Sequence, residues 1–394
     1  MSISVTKQGP YFTSGSISFS QLRSTFKETG SGSISASEYR RNTDRNEKNP
    51  VVPDSTENEN ISTGSNLSLS QFRNSVKRYY ATQSGTDHNL GNSGEPGLRL
   101  GRYNSSNGGV DWSGGGNSGR DGQNYTDGNY TRNIQKFISI TGICGSYYRT
   151  MAALQLAPGV PVYNTSFTIS GQIYGAGGIG GVVANGDGKD GGPAVNIQYD
   201  QGGNVSPVNI ESSARIWAGG GGGEKGRNGD DGAQGSCISI YTTGGCGTAA
   251  ACNSGDQDLG EQNDGCCVRR YFLGRPNGCR QYSKKRTCRG QVPSTVPTGG
   301  LGGDGGRGQG YDGGWSFGSA GQSGICPTCT SGSLSGGTCG ANGNIGGRGG
   351  DWGSDGEETA AIWRRGYAGK AFLGSYYALT GSLNGTTIRG AYNA

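Results

Sequence analysis

The chain has little material for an ordinary hydrophobic core. Only 30% of its 394 residues are hydrophobic, whereas a soluble domain usually carries about 45%. No apolar run approaches the roughly 20 residues that a membrane helix needs. The first residues, MSISVTKQGPYF, also lack the apolar stretch of a signal peptide. We therefore expect a protein made in the cytoplasm of the producing cell, with no membrane insertion.

Proline and net charge are too low for two other classes of extended protein. The chain is not a collagen, because it has only 12 prolines and its glycine triplets continue only over short stretches such as GRNGDDGAQG. The formal net charge of +5 is mild, so no nucleic-acid partner is expected. Glycine, by contrast, fills 81 positions, which is typical of either a disordered chain or an ordered glycine lattice. The 20 tyrosines, 9 phenylalanines and 5 tryptophans favour order.

One segment recurs near the N-terminus as GSISFSQLR, GSISASEYR and GSNLSLSQFR. Each copy places a serine three residues before a glutamine or glutamate, between two apolar residues. This is the pattern of a capping box inside a hydrophobic staple, and it predicts three short helices. Alternation of apolar and polar residues leaves an edge strand as the alternative. The residues concerned are Ile17, Ser18, Gln21, Leu22, Ile34, Ser35, Glu38, Tyr39, Leu67, Ser68, Gln71 and Phe72.

Helices this short are unstable alone, so these residues are predicted to dock onto something else, and we expect another protein. They belong to a predicted extended arm over residues 1–105. The stretch between the second and third copies, NTDRNEKNPVVPDSTENENIST, is polar and holds two prolines, which is typical of a linker. Residues 106–133 form a second, glycine-rich linker.

From residue 134 onward, short strand-like segments alternate with glycine runs. An apolar alternation twice ends in an isoleucine and an aromatic residue, Ile173 with Tyr174 and Ile216 with Trp217, and Ile362 with Trp363 repeats the pair. Each segment would form one rung of a stacked structure. The predicted fold is mostly irregular and β, with capped helices in the N-terminal arm. Its glycine-rich domain combines β-rungs with stacked helices of the polyglycine II type, spans 134–235 and is closed by 341–394.

Three features resemble the glycine-rich tail-fibre and adhesin proteins of T4-like bacteriophages, including cyanophages. They are the SISFSQLR-type repeats, the IYGAGG and IWAGGGGG pairings, and the ending GKAFLGSYYALTGSLNGTTIRGAYNA. The resemblance covers most of the chain. It implies a virion tail protein that attaches to other tail or baseplate proteins through its N-terminus. Its glycine-rich region would bind a host surface polysaccharide or outer-membrane protein. A homotrimer and a single chain both stay open.

The cysteine-rich segment over 236–340 has no match in that family. Disulfides are expected there, because they stabilise a segment without a core by roughly 2 to 4 kcal/mol each. Their connectivity cannot be derived from spacing. Zinc is the rival, but the segment has one CxxC pair and the chain a single histidine, so no metal is expected. The candidates are Cys237, Cys246, Cys252, Cys266, Cys267, Cys279, Cys288, Cys326, Cys329 and Cys339.

The most polarised stretch of the chain lies within the same segment. Between residues 269 and 289 there are eight cationic side chains and no acidic one. With aromatic side chains between them, the cations are suited to an anionic surface polysaccharide. The alternative is that they only keep a disulfide-stapled loop soluble. The predicted host-binding residues are Arg269, Arg270, Tyr271, Arg275, Arg280, Tyr282, Lys284, Lys285, Arg286 and Arg289.

No motif indicates an enzyme or a cofactor. GAGGIG, from Gly175, matches the dinucleotide fingerprint, but such a match is expected by chance in this chain and no helix pattern follows it. The adjacent carboxylates at 230–231 and 357–358 could serve a glycosidase, although acidic pairs in glycine loops are usually just solvated. We therefore expect no catalysis. A capsule-degrading tailspike and a purely structural whisker or decoration protein are the alternatives to an adhesin.

Overall fold

The computed structural model describes residues 3–26, 35–44, 50–88, 97–100, 123–125, 132–156, 160, 164–182, 186–197, 204–246, 251–272, 275–292, 294–314, 316–359 and 363–392. The chain divides into two compact units. The first, here called the solenoid unit, comprises Met1–Lys225, Asp304–Ser319 and Gly346–Ala394. The second, here called the cysteine-rich unit, comprises Gly226–Gly303 and Ala320–Ile345.

Strands dominate the regular structure, which confirms the mostly β fold predicted from the sequence. The described part of the chain has one α-helix, α1, at Phe19–Phe26, and two single 3-10 turns, Ala36–Tyr39 and Leu69–Phe72. No helix among these residues is long and apolar enough to cross a membrane. The strands are β1 Ile3–Gln8, β2 Arg41–Asn42, β3 Val52–Pro53, β4 Arg78–Gln83, β5 Thr86–His88, β6 Leu98–Leu100, β7 Gln123–Tyr125, β8 Gln135–Ile140, β9 Ile143–Gly145, β10 Leu154–Leu156, β11 Thr165–Ile169, β12 Gln172–Tyr174, β13 Val195–Asn196, β14 Ser206–Ile210, β15 Arg215–Trp217, β16 Ser236–Cys246, β17 Gln257–Phe272, β18 Arg275–Val292, β19 Ser333–Ser335, β20 Phe372–Leu373, β21 Tyr377–Gly381 and β22 Ile388–Arg389.

The solenoid unit is built on a three-sided parallel β-helix. Its sheets have the orders β1-β4-β8-β11-β14-β21, β22-β15-β12-β9-β5 and β20-β13-β10-β6-β7, so successive turns of chain add one strand to each side. All of these pairs are parallel except β1 with β4. Side chains on the first side alternate between buried and partly or fully exposed, as the pleat requires. The buried set forms one continuous core, from Val76 to Ile388.

The predicted rungs are present. Ile173 lies directly opposite Ile216, and Tyr174 opposite Trp217, in neighbouring strands. The third predicted copy is wrong, because the strand beside Ile216 contains Ile388 instead. Ile362 lies outside the described residues, and Trp363 is 39% exposed. The Trp363 ring fills the space where a side chain at Gly186 would be. An isoleucine followed by an aromatic residue does not by itself distinguish a strand of the β-helix from a glycine segment that carries one aromatic side chain.

On the second side, the last residues of the five strands form a row that is largely aromatic. In register order this row consists of His88, Gly145, Tyr174, Trp217 and Arg389. The Arg389 guanidinium lies 4.4 Å from the centre of the Trp217 ring, in a cation–π contact. The gap at Gly145 is filled from elsewhere in the chain. A Cβ at this glycine would lie 2.3 Å from the ring of Tyr311.

Gly145→Ala is expected to destabilise the solenoid unit, because the new methyl group collides with the Tyr311 ring. Overpacking of this kind costs about 1 to 3 kcal/mol, and it should appear as a lower melting temperature. In a Tyr311→Ala background the same change should cost far less, since the ring is gone. Equal penalties in the two backgrounds would show that Tyr311 does not occupy the gap.

The three N-terminal repeats share one small core. Ser18, Ser35 and Ser68 begin the three helical turns, and Leu22, Tyr39 and Phe72 are completely buried together. In each turn the serine N–H donates to the side chain three residues on, at 2.8, 3.2 and 3.1 Å. Partly buried Ile17 and Leu67 pack against the same core, as staples do. Ile34 lies outside the described residues.

One expectation for this region is confirmed in part and another is wrong. Each repeat begins a helix at its predicted serine, but only the first is an α-helix, while the second and third are single 3-10 turns that end at extended residues, Arg40 (ψ 144°) and Arg73 (ψ 133°). Residues 50–63 of the predicted linker are packed rather than extended. Val52 and Ile61 are buried in the shared core. The apolar side chains of the repeats thus find their partners within this chain, which supplies the docking that short helices need.

Glycine segments of the solenoid unit pack side by side in a lattice. The N–H groups of Gly175, Gly178 and Gly181 donate to the carbonyls of Trp217, Gly220 and Gly223 at 2.8 to 2.9 Å. A backbone with three residues per turn presents every third residue to a given neighbour, which accounts for the spacing. Segment 219–225 is the centre of the lattice. It is hydrogen-bonded to segments 175–181, 186–192, 306–309, 347–350, 354–357 and 366–369.

Aspartates satisfy backbone donors of neighbouring segments in this lattice. The carboxylates of Asp187 and Asp190 accept from the N–H groups of Arg364 and Tyr367, each at 2.8 Å. Asp312 accepts from Gly177 N–H at 2.9 Å. Burial raises the pKa of Asp312, and this N–H and the Arg307 guanidinium partly offset the effect. These aspartates therefore hold neighbouring segments of the lattice together.

Candidate functional site

The cysteine-rich unit contains a four-stranded antiparallel sheet of order β17-β18-β16-β19. Its two long strands, Gln257–Phe272 and Arg275–Val292, pair from Gln257 with Arg289 to Phe272 with Arg275. Several register shifts interrupt the pairing. The unit also has its own glycine lattice, in which Gly226 and Gly229 donate to the carbonyls of Gly303 and Gly300. Backbone hydrogen bonds therefore hold together both the sheet and the glycine segments of this unit.

Disulfides replace a hydrophobic core in this unit. Its described side chains include no buried Ala, Val, Leu, Ile, Met or aromatic residue. They do form three disulfides, Cys237–Cys329, Cys252–Cys288 and Cys326–Cys339. Because the bonded residues are 92, 36 and 13 positions apart, the bridges tie the sheet to distant parts of the unit. The side chains of Cys246, Cys266, Cys267 and Cys279 lie outside those described.

The predicted host-binding residues lie on two adjacent strands. Arg269, Arg270 and Tyr271 belong to β17, and the other seven belong to β18. The fold therefore gathers on one hairpin the cations that the sequence spreads over 21 positions. Side chains are described for Arg286 and Arg289. Arg286 pairs with Asp258 at 3.2 Å. Arg289 is exposed and makes no ion pair with any described residue.

Two polar hollows flank Asp256 beside this hairpin. One, of about 500 Å³, is lined by Ile238, Asp256, Arg289 and Gln291 among others. The second, of about 420 Å³, is lined by Asp256 and Gln291 together with Ser239, Tyr241, Asn253, Gly290 and Val292. Both volumes fall in the range of small-molecule sites. These hollows were not foreseen. The one available signal was Gly290, because an isolated glycine inside a strand often marks a close approach of another group.

The exposed face of the N-terminal repeats is a second candidate surface. In each repeat two serine hydroxyls, two residues apart, are hydrogen-bonded to each other: Ser18 with Ser20, Ser35 with Ser37 and Ser68 with Ser70. All six serines are exposed. Phe19, between the first two, is 53% exposed. The chain therefore presents the same pair of exposed serines three times, around one shared core, with a different residue between them in each repeat.

Comparison with known proteins gives no family for this chain. No protein-family description matches it, and no curated protein is detectably similar. Among solved structures, it is similar to the gp37-gp38 adhesin tip complex of the bacteriophage S16 long tail fiber. The two are 15% identical, with 84% of this chain and 88% of that chain covered, at a TM-score of 0.29. A likeness this loose assigns neither a fold nor an activity.

Each carboxylate considered for catalysis contacts a backbone N–H group or an arginine side chain. Asp231 accepts from Gly299 N–H at 2.8 Å, and Asp230 lies 3.4 Å from the Arg227 guanidinium. Glu357 accepts from Arg348 N–H at 3.0 Å, and Glu358 lies 3.5 Å from Arg365. Across the described residues, no cluster of His, Cys, Asp and Glu is suited to a metal ion.

Proposed function

We propose that the protein is a bacteriophage tail adhesin that binds the host surface through its cysteine-rich unit. The observation that carries the proposal is the hairpin of β17 and β18. It concentrates cations in a unit that disulfides and backbone bonds hold together without a hydrophobic core. Disulfides are typical of proteins that work outside a reducing cytoplasm. The proposed ligand is an anionic polysaccharide of the host surface.

Attraction to such a ligand is long-ranged but screened by salt. The Debye length falls from about 10 Å at 0.1 M to about 3 Å at 1 M. Each contact between exposed charges contributes little, about 0.2 to 1 kcal/mol. Useful affinity then comes from many copies binding one surface at once. The proposed mechanism is multivalent, reversible attachment that high salt weakens.

The exposed serine face is the proposed attachment surface for another tail protein. Three exposed serine pairs around one core suit a partner that itself presents three equivalent chains, because each pair could make similar hydrogen bonds. A trimeric fibre has this symmetry. Phe19 supplies one exposed apolar anchor at the centre of its turn. Loss of assembly after Phe19→Ser would support this half of the proposal.

Lys284→Gln with Lys285→Gln should weaken binding of the protein to host cells on the order of fivefold, since two screened charge contacts are lost. The matched control is Arg364→Gln with Arg365→Gln, an adjacent pair of cations in the solenoid unit. Binding of labelled protein to cells, measured over a salt series, provides the readout. Equal effects of the two pairs, or affinity that does not fall with salt, would contradict the proposal.

We propose binding without cleavage. In support, the carboxylates considered above contact neighbouring backbone segments or arginines. Incubation of purified protein with host polysaccharide should release no reducing ends. Release of reducing ends would favour the capsule-degrading tailspike instead. Normal adsorption by virions that lack the hairpin would favour the purely structural alternative.

A further inference from the structure

The turn that carries Asp256 is fastened over strand β18. The disulfide Cys252–Cys288 fixes its beginning, and Asp256 N–H donates to Asn253 O at 3.0 Å. Gly290 leaves the room that the carboxylate needs. A Cβ at this glycine would lie 2.7 Å from both carboxylate oxygens. The position of the carboxylate is therefore built by the turn, the disulfide and the glycine together.

The carboxylate has one oxygen committed and one available. The Tyr241 hydroxyl donates to Oδ2, and this hydrogen bond raises the pKa of Tyr241. The same hydroxyl accepts from Asn253 N–H at 3.1 Å. Within the described part of the chain, Oδ1 has no hydrogen-bond partner. A partly buried carboxylate oxygen that is held in place and free to accept is suited to a hydroxyl group of a ligand.

The groups around this oxygen complement a sugar ring. Ser239 and Asn253 line the second hollow together with Asp256 and Tyr241, and their side chains can donate to ring or hydroxyl oxygens. Tyr241 offers an aromatic face to the apolar C–H groups of a sugar. An anionic group would meet the Asp256 carboxylate, which repels it. The chemistry therefore favours a neutral sugar over an acidic one at this position.

We propose that the second hollow, lined by Asp256 and Tyr241, binds a neutral hexopyranose unit of the host polysaccharide. Asp256 accepts hydrogen bonds from sugar hydroxyls, and Ser239 and Asn253 donate to sugar oxygens. This site rests on the proposed function and adds specificity to it. The cations of the hairpin attract an anionic polymer, whereas the hollow distinguishes one of its neutral units.

Asp256→Asn tests the site, because it keeps the shape of the side chain and removes the charge. The probes are methyl glucoside, methyl galactoside and methyl mannoside, titrated at millimolar concentration and followed by saturation-transfer NMR. The full-length protein should bind at least one of them, and Asp256→Asn should weaken that binding about tenfold or more. Asp258→Asn, two residues away and outside both hollows, is the matched control and should leave the affinity unchanged.

Ser239→Ala provides a second variant, a small change at a partly exposed side chain of the same hollow where misfolding is not expected, and it should also weaken binding of the hexoside. The inference is overturned if none of the hexosides binds, or if Asp256→Asn binds as tightly as the unmodified protein. Dextran sulfate separates this failure from failure of the proposed function. If the protein binds dextran sulfate and host cells but none of the hexosides, only the proposed sugar site in the hollow is overturned. If the unmodified protein does not bind host cells at all, the adhesin proposal itself is overturned.

Discussion

Gly222→Ala should prevent the solenoid unit from folding stably. The glycine lies in the central segment of the lattice, where its N–H donates to Lys189 O and its carbonyl accepts from Gly366 N–H. A Cβ at this position would lie 2.1 Å from the carbonyl oxygen of Ile179, which is backbone and cannot rotate away. Relief requires whole segments to separate, with loss of hydrogen bonds on both sides. We expect a cost above about 3 kcal/mol, a large part of the stability of a typical domain.

Gly314→Ala is the matched control, because no atom lies within 4 Å of a Cβ at that position and its φ is not positive. Both substitutions reduce the entropy of the unfolded chain equally, so the comparison isolates the collision. Melting temperature and yield of soluble protein provide the readouts. If Gly222→Ala melts together with Gly314→Ala, the segments around 219–225 are not packed as closely as described.

The rungs could be predicted from the sequence because their signal is local. Alternation of apolar and polar residues in FTISGQIY and VNIESSARIW marks one buried side chain in two, and the structure places these segments in register. The capping boxes are local as well, since a serine and the residue three positions on decide them. The length of the helical turn after each capping box is not decided by these residues. The second and third turns end where the backbone becomes extended at Arg40 and Arg73, and nothing in the sequence at these positions predicts that change.

Contacts between distant parts of the chain were beyond the sequence. Nothing around Gly145 indicates that the ring of Tyr311 will fill its place, because the two are joined only by the fold. The same holds for the neighbours of segment 219–225, since glycine runs are interchangeable as sequence. In the candidate site, the run of cationic residues predicted the hairpin as a binding segment, whereas no pattern of charge predicted the hollow beside Asp256. Asp256 lies in an unremarkable NSGD turn, and its role depends on Tyr241 and Gly290 from two other strands.

Reduction of the disulfides should abolish host binding while the solenoid unit stays folded. Three bridges among the described cysteines, each contributing roughly 2 to 4 kcal/mol, hold a unit whose described side chains provide no aliphatic or aromatic core. Their combined loss, roughly 6 to 12 kcal/mol, is comparable to the whole stability of a typical domain. The described cysteine of the solenoid unit, Cys144, is an unpaired thiol, so reductant has nothing to break there. Burial raises the pKa of this thiol, with a further contribution from Asp87, so its reactivity is low.

Calorimetry with and without reductant, together with limited proteolysis, separates the two units. Reductant should remove one transition and expose residues 236–296 to cleavage, while the second transition keeps its temperature. Cys252→Ser with Cys288→Ser should reproduce part of this effect without reductant, and it should weaken hexoside binding because the Asp256 turn loses its anchor. Cys326→Ser with Cys339→Ser is the comparison, since neither of its cysteines belongs to the Asp256 turn or to β18. Undiminished host binding after full reduction would show that backbone hydrogen bonds alone hold the cysteine-rich unit, and would remove the disulfides from the account of its stability.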